Sequence, residues 1–328
     1  MDQIVVAIRE ENLYTICSVS YNSSQFIQLN EDLIIQLNKN KDFNWIIVEN
    51  SPAMSNNSVN LSNKNIKVIQ GLRDNTYNAE HWAPHSLHHA KGLNIALKYV
   101  NTRYLIVMDP DFFVVLKDWM KIITKFMTRN NISIFGAPWN PKWSYKYRYF
   151  PSPHFTVYDL KKIPLKGLNF LPGNKRFMGK KYLSFSRFYM NINRNFINSQ
   201  PDTGWHIYKN YINSDEFSHF CIQPCFDSKI FWKGGNLKLN DKIVDFCFPD
   251  SWAFIPKKRN YYSTKFFKDY DYPDTTSIGC EEFIWDDKPF GIHFRGFRNN
   301  SVNKNKIDNL KTAINVFSII DRVDRINS

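Results

Sequence analysis

Between residues 13 and 137, short runs of β-forming residues alternate with segments whose apolar residues recur at helical spacing. Residues 13–20 (LYTICSVS), 45–49 (WIIVE), Ile66–Gln70, Tyr104–Met108 and 132–137 (ISIFGA) read as strands, most of them apolar on both sides. Between them Phe26, Leu29, Leu33, Ile34 and Leu37 mark one helix face. Leu87, Ala90, Asn94, Leu97 and Val100 mark a second, and Trp119, Ile123, Phe126 and Met127 a third. The polar cluster Tyr21-Asn22-Ser23-Ser24 suits a helix start, while Asn50-Ser51-Pro52 and Gly71 end two strands. Strands that recur with helices between them bury both faces in a mostly parallel sheet flanked by helices, so the fold class is α/β. Such sheets receive ligands beyond the carboxyl ends of their strands. That rim takes in residues 18–22, 49–51, 71–74 (with Arg73) and 109–111.

Downstream the pattern loosens. Residues 151–160 and 244–255 read as strands, Asp202 opens a helix to residue 211, and residues 310–320 form a C-terminal helix. No internal repeat or linker interrupts the chain, which reads as one compact domain with a less regular second half. Apolar residues at 43% and charged residues at 22% set it apart from disordered chains. Lys+Arg 43 against Asp+Glu 30 leaves a net charge of +13, which points to an anionic partner: a nucleotide, a nucleic acid or an acidic membrane surface. The five cysteines are too few and odd in number for a disulfide framework, so a reducing compartment is expected. Asp2, Arg9, Glu10 and Glu11 break any apolar run at the N-terminus, so no signal peptide is expected. No apolar run approaches the about 20 residues of a membrane-spanning helix, and a soluble, cytoplasmic protein is expected.

The sharpest chemical feature is Val107-Met108-Asp109-Pro110-Asp111. An apolar strand ends in two carboxylates two positions apart, which period-two geometry would place on one side. They repel each other unless a cation joins them, and a hard divalent ion with oxygen ligands would do so while also holding a diphosphate. Asp-Pro-Asp is equally good turn chemistry. Position at the end of a buried strand moves the balance toward metal binding.

Ser18-Val19-Ser20-Tyr21-Asn22, Val48-Glu49-Asn50-Ser51, residues 90–96 (AKGLNIA) and Asp109-Pro110-Asp111, in that order, resemble the motifs of family 2-type glycosyltransferases of the GT-A fold. The resemblance is good over residues 13–140, thinner over 150–300 and absent beyond. It implies a GT-A-type, Rossmann-like sheet in which residues 1–140 bind the nucleotide sugar and residues 141–300 bind the acceptor and carry catalysis; residues 301–328, beyond the resemblance, are expected to hold the C-terminal helix on periodicity alone. It further implies metal-dependent transfer of a sugar from a UDP-, GDP- or dTDP-sugar to a glycan or lipid-linked acceptor hydroxyl, with inversion, in the synthesis of a cell-surface polysaccharide or lipopolysaccharide-type glycan. No Gln-x-x-Arg-Trp run occurs, so non-processive addition is expected.

Carried over position by position, the resemblance makes Ser18, Ser20, Asn22, Glu49, Arg73, Lys91, Asp109 and Arg295 donor-binding residues. Asp109, Asp111 and His293 become ligands of Mn2+ or Mg2+. Two carboxylates with an imidazole favour Mn2+ somewhat, since Mg2+ prefers oxygen alone. Gly92 precedes Asn94 here, where the family commonly has the reverse order. In the family an acidic pair at a helix start supplies the catalytic base. Here Ser199-Gln200-Pro201-Asp202 retains one acid, so Asp202 is the match, with Asp250, Glu281 and Glu282 held in reserve. Each assignment has a plainer counterpart: a strand-end cap for Glu49, a solvated lysine for Lys91, a helix cap for Asp202 and a core histidine for His293.

His219, Cys221, Cys225 and Cys247 match no strong zinc spacing and read as buried thiols beside a histidine. His81, His85, His88 and His89 look cluster-like; donor-loop packing or surface exposure is the expected reading, with a metal site as the alternative. The basic aromatic segment 161–194 suits a peripheral contact with an anionic inner leaflet. It also suits a nucleic-acid-binding protein, the alternative from another class, together with a non-catalytic nucleotide- or sugar-binding protein. Nucleic acid is not the expected partner.

Overall fold

The computed structural model describes residues 13–39, 42–52, 59, 64–71, 84–140, 150–173, 202–224, 280–286, 288–294, 307, 308, 310–312, 314 and 315. The first four strands are β1 (Tyr14–Ser20), β2 (Phe43–Glu49), β3 (Ile66–Gln70) and β4 (Tyr104–Met108). Helix α1 (Ser24–Leu37) joins β1 to β2, and α2 (Pro84–Ala96) lies between β3 and β4. After β5 (Phe112–Val114) come α3 (Trp119–Arg129), β6 (Ile134–Gly136) and β7 (Phe155–Asp159). Then follow α4 (Trp205–Tyr211), β8 (His219–Cys221), β9 (Gln223–Pro224), β10 (Cys280–Trp285) and β11 (Lys288–Phe294).

The main sheet has seven strands in the order β3-β2-β1-β4-β7-β6-β8. β3, β2, β1 and β4 run parallel, as do β6 and β8, while β7 is antiparallel to both its neighbours. The fold is therefore mixed α/β with a mostly parallel central sheet flanked by helices. The chain leaves β1 toward β2 on one side and later returns to place β4 on the other. This makes the β1/β4 boundary a topological switch point, where the carboxyl ends of the strands leave a crevice.

Period-two alternation sorts the strand side chains between two cores. Ile16, Trp45, Ile47, Ile106 and Met108 pack on one face with Ile27 and Ile34 of α1 and Trp119, Ile123 and Met127 of α3. Cys17, Val19, Ile46, Val48, Leu105 and Val107 pack on the other with Ala90, Leu93 and Ala96 of α2 and Ile207 of α4. Gly92 allows α2 to lie close on β1, since a Cβ there would stand 2.7 Å from Val19 Cγ2. That close approach gives a packing reason for glycine at this point of the helix.

A smaller antiparallel sheet, in the order β5-β11-β10-β9, covers the first of these cores. β5 and β9 are short and β11 carries Pro289 and Gly291, and the sequence pattern gave no reason to expect a second sheet. β5 directly follows the Asp-Pro-Asp segment and pairs with β11, so the first and second parts of the chain share this sheet. The expected strand at 244–255 lies outside the described residues, as does most of the basic segment. The described residues from 307 to 315 are helical, in line with the start of the expected C-terminal helix.

Candidate functional site

Asp109-Pro110-Asp111 leaves β4 at the switch point, and it is a tight turn rather than extended chain. The Phe112 N–H donates to the Asp109 carbonyl at 3.0 Å, with Pro110 at the second position, where its fixed φ suits a type I or II turn. The strand-alternation argument for two carboxylates on one side is thereby corrected: turn geometry, not pleating, aims them together. Three further bonds pin the segment. The Asp109 N–H donates to the His154 carbonyl at 2.9 Å, and the Phe294 N–H to the Asp111 carbonyl at 2.8 Å. The side chain of Asn30, buried on α1, donates to the Pro110 carbonyl at 2.7 Å.

The smaller sheet brings the third group. Phe112 on β5, His293 on β11 and Glu281 on β10 are register partners in one row across three strands. His293 is buried, its Nε2 lies 3.4 Å from Asp111 Oδ1, and its Nδ1 lies 3.2 Å from Glu281 Oε2. The His154 ring stacks on it at 4.6 Å between centroids and 9° between planes. His154 is itself held through Nδ1 by the Ser152 hydroxyl. Among the described residues, Asp109, Asp111 and His293 form one group whose ligand atoms all lie within 4.8 Å of one another.

These residues fit a divalent cation. Ligand atoms about 2.1 Å from one ion stand roughly 3 Å apart when perpendicular and roughly 4 Å apart when opposite. A neutral His293 that donates Nδ1–H to Glu281 turns the Nε2 lone pair toward the Asp111 carboxylate. Two acceptors then face each other, and a cation between them removes the conflict. The plainer reading of His293 as a core histidine and its reading as a ligand therefore meet in one residue, buried yet aimed at the turn.

His89 on α2 adds a contact that the sequence reading assigned to loop packing. Its Nε2 stands 3.0 Å from Asp109 Oδ1, with both side chains about a quarter exposed. Burial depresses its pKa, but attraction to Asp109, their hydrogen bond and the more distant Asp111 outweigh this and hold it above the ordinary histidine value.

The expected donor-binding residues fall into two kinds. Ser18 is fully buried; its hydroxyl donates to the Met108 carbonyl at 2.7 Å and accepts from Trp45 Nε1 at 3.0 Å. Ser20 is also buried, with its hydroxyl 3.0 Å from that of Ser23. Glu49 Oε1 and Oε2 accept the N–H groups of Ser51 and Val59, each at 2.8 Å. Asn22 adopts the left-handed φ of 52° that asparagine tolerates, and its N–H donates to Ser51 Oγ at 2.7 Å. These bonds tie the ends of β1 and β2 into one rim. Lys91 is exposed on α2. Arg73 and Arg295 lie outside the described residues.

Asp202 does not open α4; Gly204, at φ 80°, precedes it. The Asp202 carboxylate is nearly buried and accepts the Thr203 N–H at 2.8 Å, while the Thr203 hydroxyl donates to the Ser86 carbonyl in α2. Of the reserve acids, Glu281 stands behind His293, Glu282 is buried, and Asp250 lies outside the described residues. His219 and Cys221 lie on β8; Cys225 and Cys247 are outside the described residues.

No protein-family model matches the chain. No curated protein matches it either. Among solved structures it is similar to the mannosyltransferase PcManGT from Pyrobaculum calidifontis in complex with GDP-Man and Mn2+, at 11% identity and a TM-score of 0.33, over 51% of this chain and 50% of that one. It is similar to S. aureus TarS 1-349 in complex with UDP-GlcNAc at 16% identity and a TM-score of 0.34, over 48% of each chain. It is also similar to the galactosyltransferase LgtC in complex with donor and acceptor sugar analogs, at 10% identity and a TM-score of 0.36, over 62% of this chain and 72% of that one. The match thus spans about half the length of the first two. Among the described residues no helix is long and apolar enough to cross a membrane.

Proposed function

We propose that the protein is a metal-dependent glycosyltransferase that moves a sugar from a nucleotide diphosphate sugar to an acceptor hydroxyl. The observation that carries this reading is the convergence of Asp109, Asp111 and His293 at the carboxyl end of β4, beside the switch point of a parallel sheet. A dinucleotide or a nucleotide diphosphate fits such a crevice, and a carboxylate pair beside it repels the phosphates unless a cation intervenes.

In this proposal Asp109, Asp111 and His293 hold Mn2+ or Mg2+, and a bound ion supplies positive charge to the diphosphate oxygens as the leaving group departs. Asn22, Lys91, Arg73 and Arg295 face the donor, and Ser18, Ser20 and Glu49 shape the rim on which it rests. Asp202 takes the proton of the acceptor hydroxyl. That oxygen forms the new bond to the anomeric carbon, and the electron pair of the broken carbon–oxygen bond leaves with the diphosphate. The Thr203 hydroxyl, which donates to the Ser86 carbonyl, ties the segment that carries Asp202 to α2, the helix that also carries His89. Glu281, buried behind His293, is the wrong carboxylate for this step.

Attack by an external hydroxyl opposite the leaving group makes the transfer inverting. Non-processive addition to a glycan or lipid-linked acceptor, with peripheral contact of the basic segment on the inner face of an anionic membrane, completes the proposal. The test is a thermal-shift panel of UDP-, GDP- and dTDP-sugars with and without Mn2+. One donor class is expected to raise Tm only with the metal, because a ligand that binds the folded state stabilises it by mass action. A panel in which no nucleotide sugar shifts Tm, or in which D111N shifts as the unmodified chain does, would overturn the reading.

A further inference from the structure

We infer that Glu281 is a positioning residue: it holds His293 so that Nε2, rather than Nδ1, is presented at the carboxylate pair. The inference rests on the metal-site reading above and extends it to a residue that would never touch the ion.

Three observations carry it. First, Glu281 and His293 are opposite one another in the antiparallel β10–β11 register, so backbone pairing and not a flexible loop sets their spacing. Second, the Glu281 side chain has no exposed surface, and its Oε2 is 3.2 Å from His293 Nδ1. A carboxylate is seldom kept from water without a donor that repays its desolvation, and the imidazole N–H is such a donor. Third, the ring has little freedom to turn, because His154 stacks flat on it and Phe112 lies 6.0 Å away. With Nδ1 committed to Glu281, the remaining nitrogen points along the same sheet row toward Asp111. Carboxylate partners of metal-bound histidines fix the tautomer and raise the basicity of the ligating nitrogen in the same way.

The experiment measures Mn2+ affinity of the full chain from the free-ion EPR signal, for the unmodified protein, H293A, E281A, E281Q and the E281A/H293A pair. E281A is expected to weaken Mn2+ binding by about 10- to 100-fold, the range typical of lost outer partners. E281Q, which keeps an acceptor of the same shape, should recover part of that loss. In the H293A background E281A should add nothing, because its effect passes through the imidazole. An equal loss in both backgrounds, or no loss in folded E281A, would overturn the inference.

A check needing no variant covers the outcome in which E281A fails to fold. Long-range 1H–15N spectra of the metal-free protein, recorded above the ordinary histidine pKa range, should report His293 as the Nδ1–H tautomer. The Nε2–H tautomer would overturn the inference. Unmodified protein that binds Mn2+ no better than D111N would defeat the metal reading itself. Binding that H293A weakens and E281A spares would defeat only the role of Glu281.

Discussion

The two halves of the rim handle polar groups in opposite ways. At the ends of β1 and β2, Ser18, Ser20, Glu49 and Ser51 are engaged within the chain, and Glu49 has a backbone N–H on each oxygen. At the end of β4, four backbone groups of Asp109-Pro110-Asp111 are hydrogen-bonded within the chain, while the two carboxylates face imidazoles, Asp109 that of His89 and Asp111 that of His293. Buried polar groups are ordinarily satisfied, so the first region reads as a scaffold. Like charges held together by a rigid backbone repel each other, and the imidazoles of His89 and His293 are the groups that stand against them. In the function proposed above, the difference separates residues that shape the site from residues that would hold the ion.

The largest effect should come from D111N. It removes one charged ligand and is expected to weaken Mn2+-dependent donor binding by more than about 100-fold, the equivalent of about 3 kcal/mol. Circular dichroism and Tm without metal should stay unchanged, because the turn is tied by main-chain atoms and Asn30. E49A should do the reverse. Losing two charge-assisted bonds to buried N–H groups should cost about 3 kcal/mol in urea unfolding, with Mn2+ affinity retained. A stable E49A protein that has lost donor binding would instead make Glu49 a direct ligand of the base and erase the contrast.

How far the sequence reveals this arrangement depends on the distance over which each signal acts. β1 to β4 are legible because apolar runs bounded by polar clusters are local. So is the carboxylate pair, since Asp-Pro-Asp closes such a run. β5 and β10 carry no comparable signal; the resemblance alone put His293 with Asp111, and without the register of these strands nothing links Glu281 to His293. His89 is hidden for a similar reason: its helix face is legible, but not the strand end it meets. Asn30 is different, because a signal was present. It falls four residues from both Phe26 and Ile34, on the buried face of α1, and a polar side chain there requires a buried partner. The partner, Pro110, lies 80 residues away, and only the fold reveals it.

S18A should be milder than E49A. It strands the Trp45 indole N–H and the Met108 carbonyl, at a cost of about 2 kcal/mol by denaturant titration. Nucleotide affinity should not change, because no atom of Ser18 reaches the surface. A loss of affinity larger than the loss of stability would return Ser18 to the donor site and move the border between the two regions.

The smallest effect on stability, and the most informative about the border, should come from N30A. Asn30 belongs to the scaffold by burial and to the β4 side by its bond to Pro110. Its removal leaves one carbonyl without that donor, at a cost of about 1 kcal/mol. If the turn works by holding two repelling carboxylates in place, the same change should loosen them and weaken Mn2+ binding by about 10-fold, as loss of an outer partner does. Proportionate effects would mean that rigidity of the turn and affinity for the ion are one property. A destabilised N30A protein with full Mn2+ affinity would mean that the ion itself organises the carboxylates, and that the pinned backbone serves the fold alone.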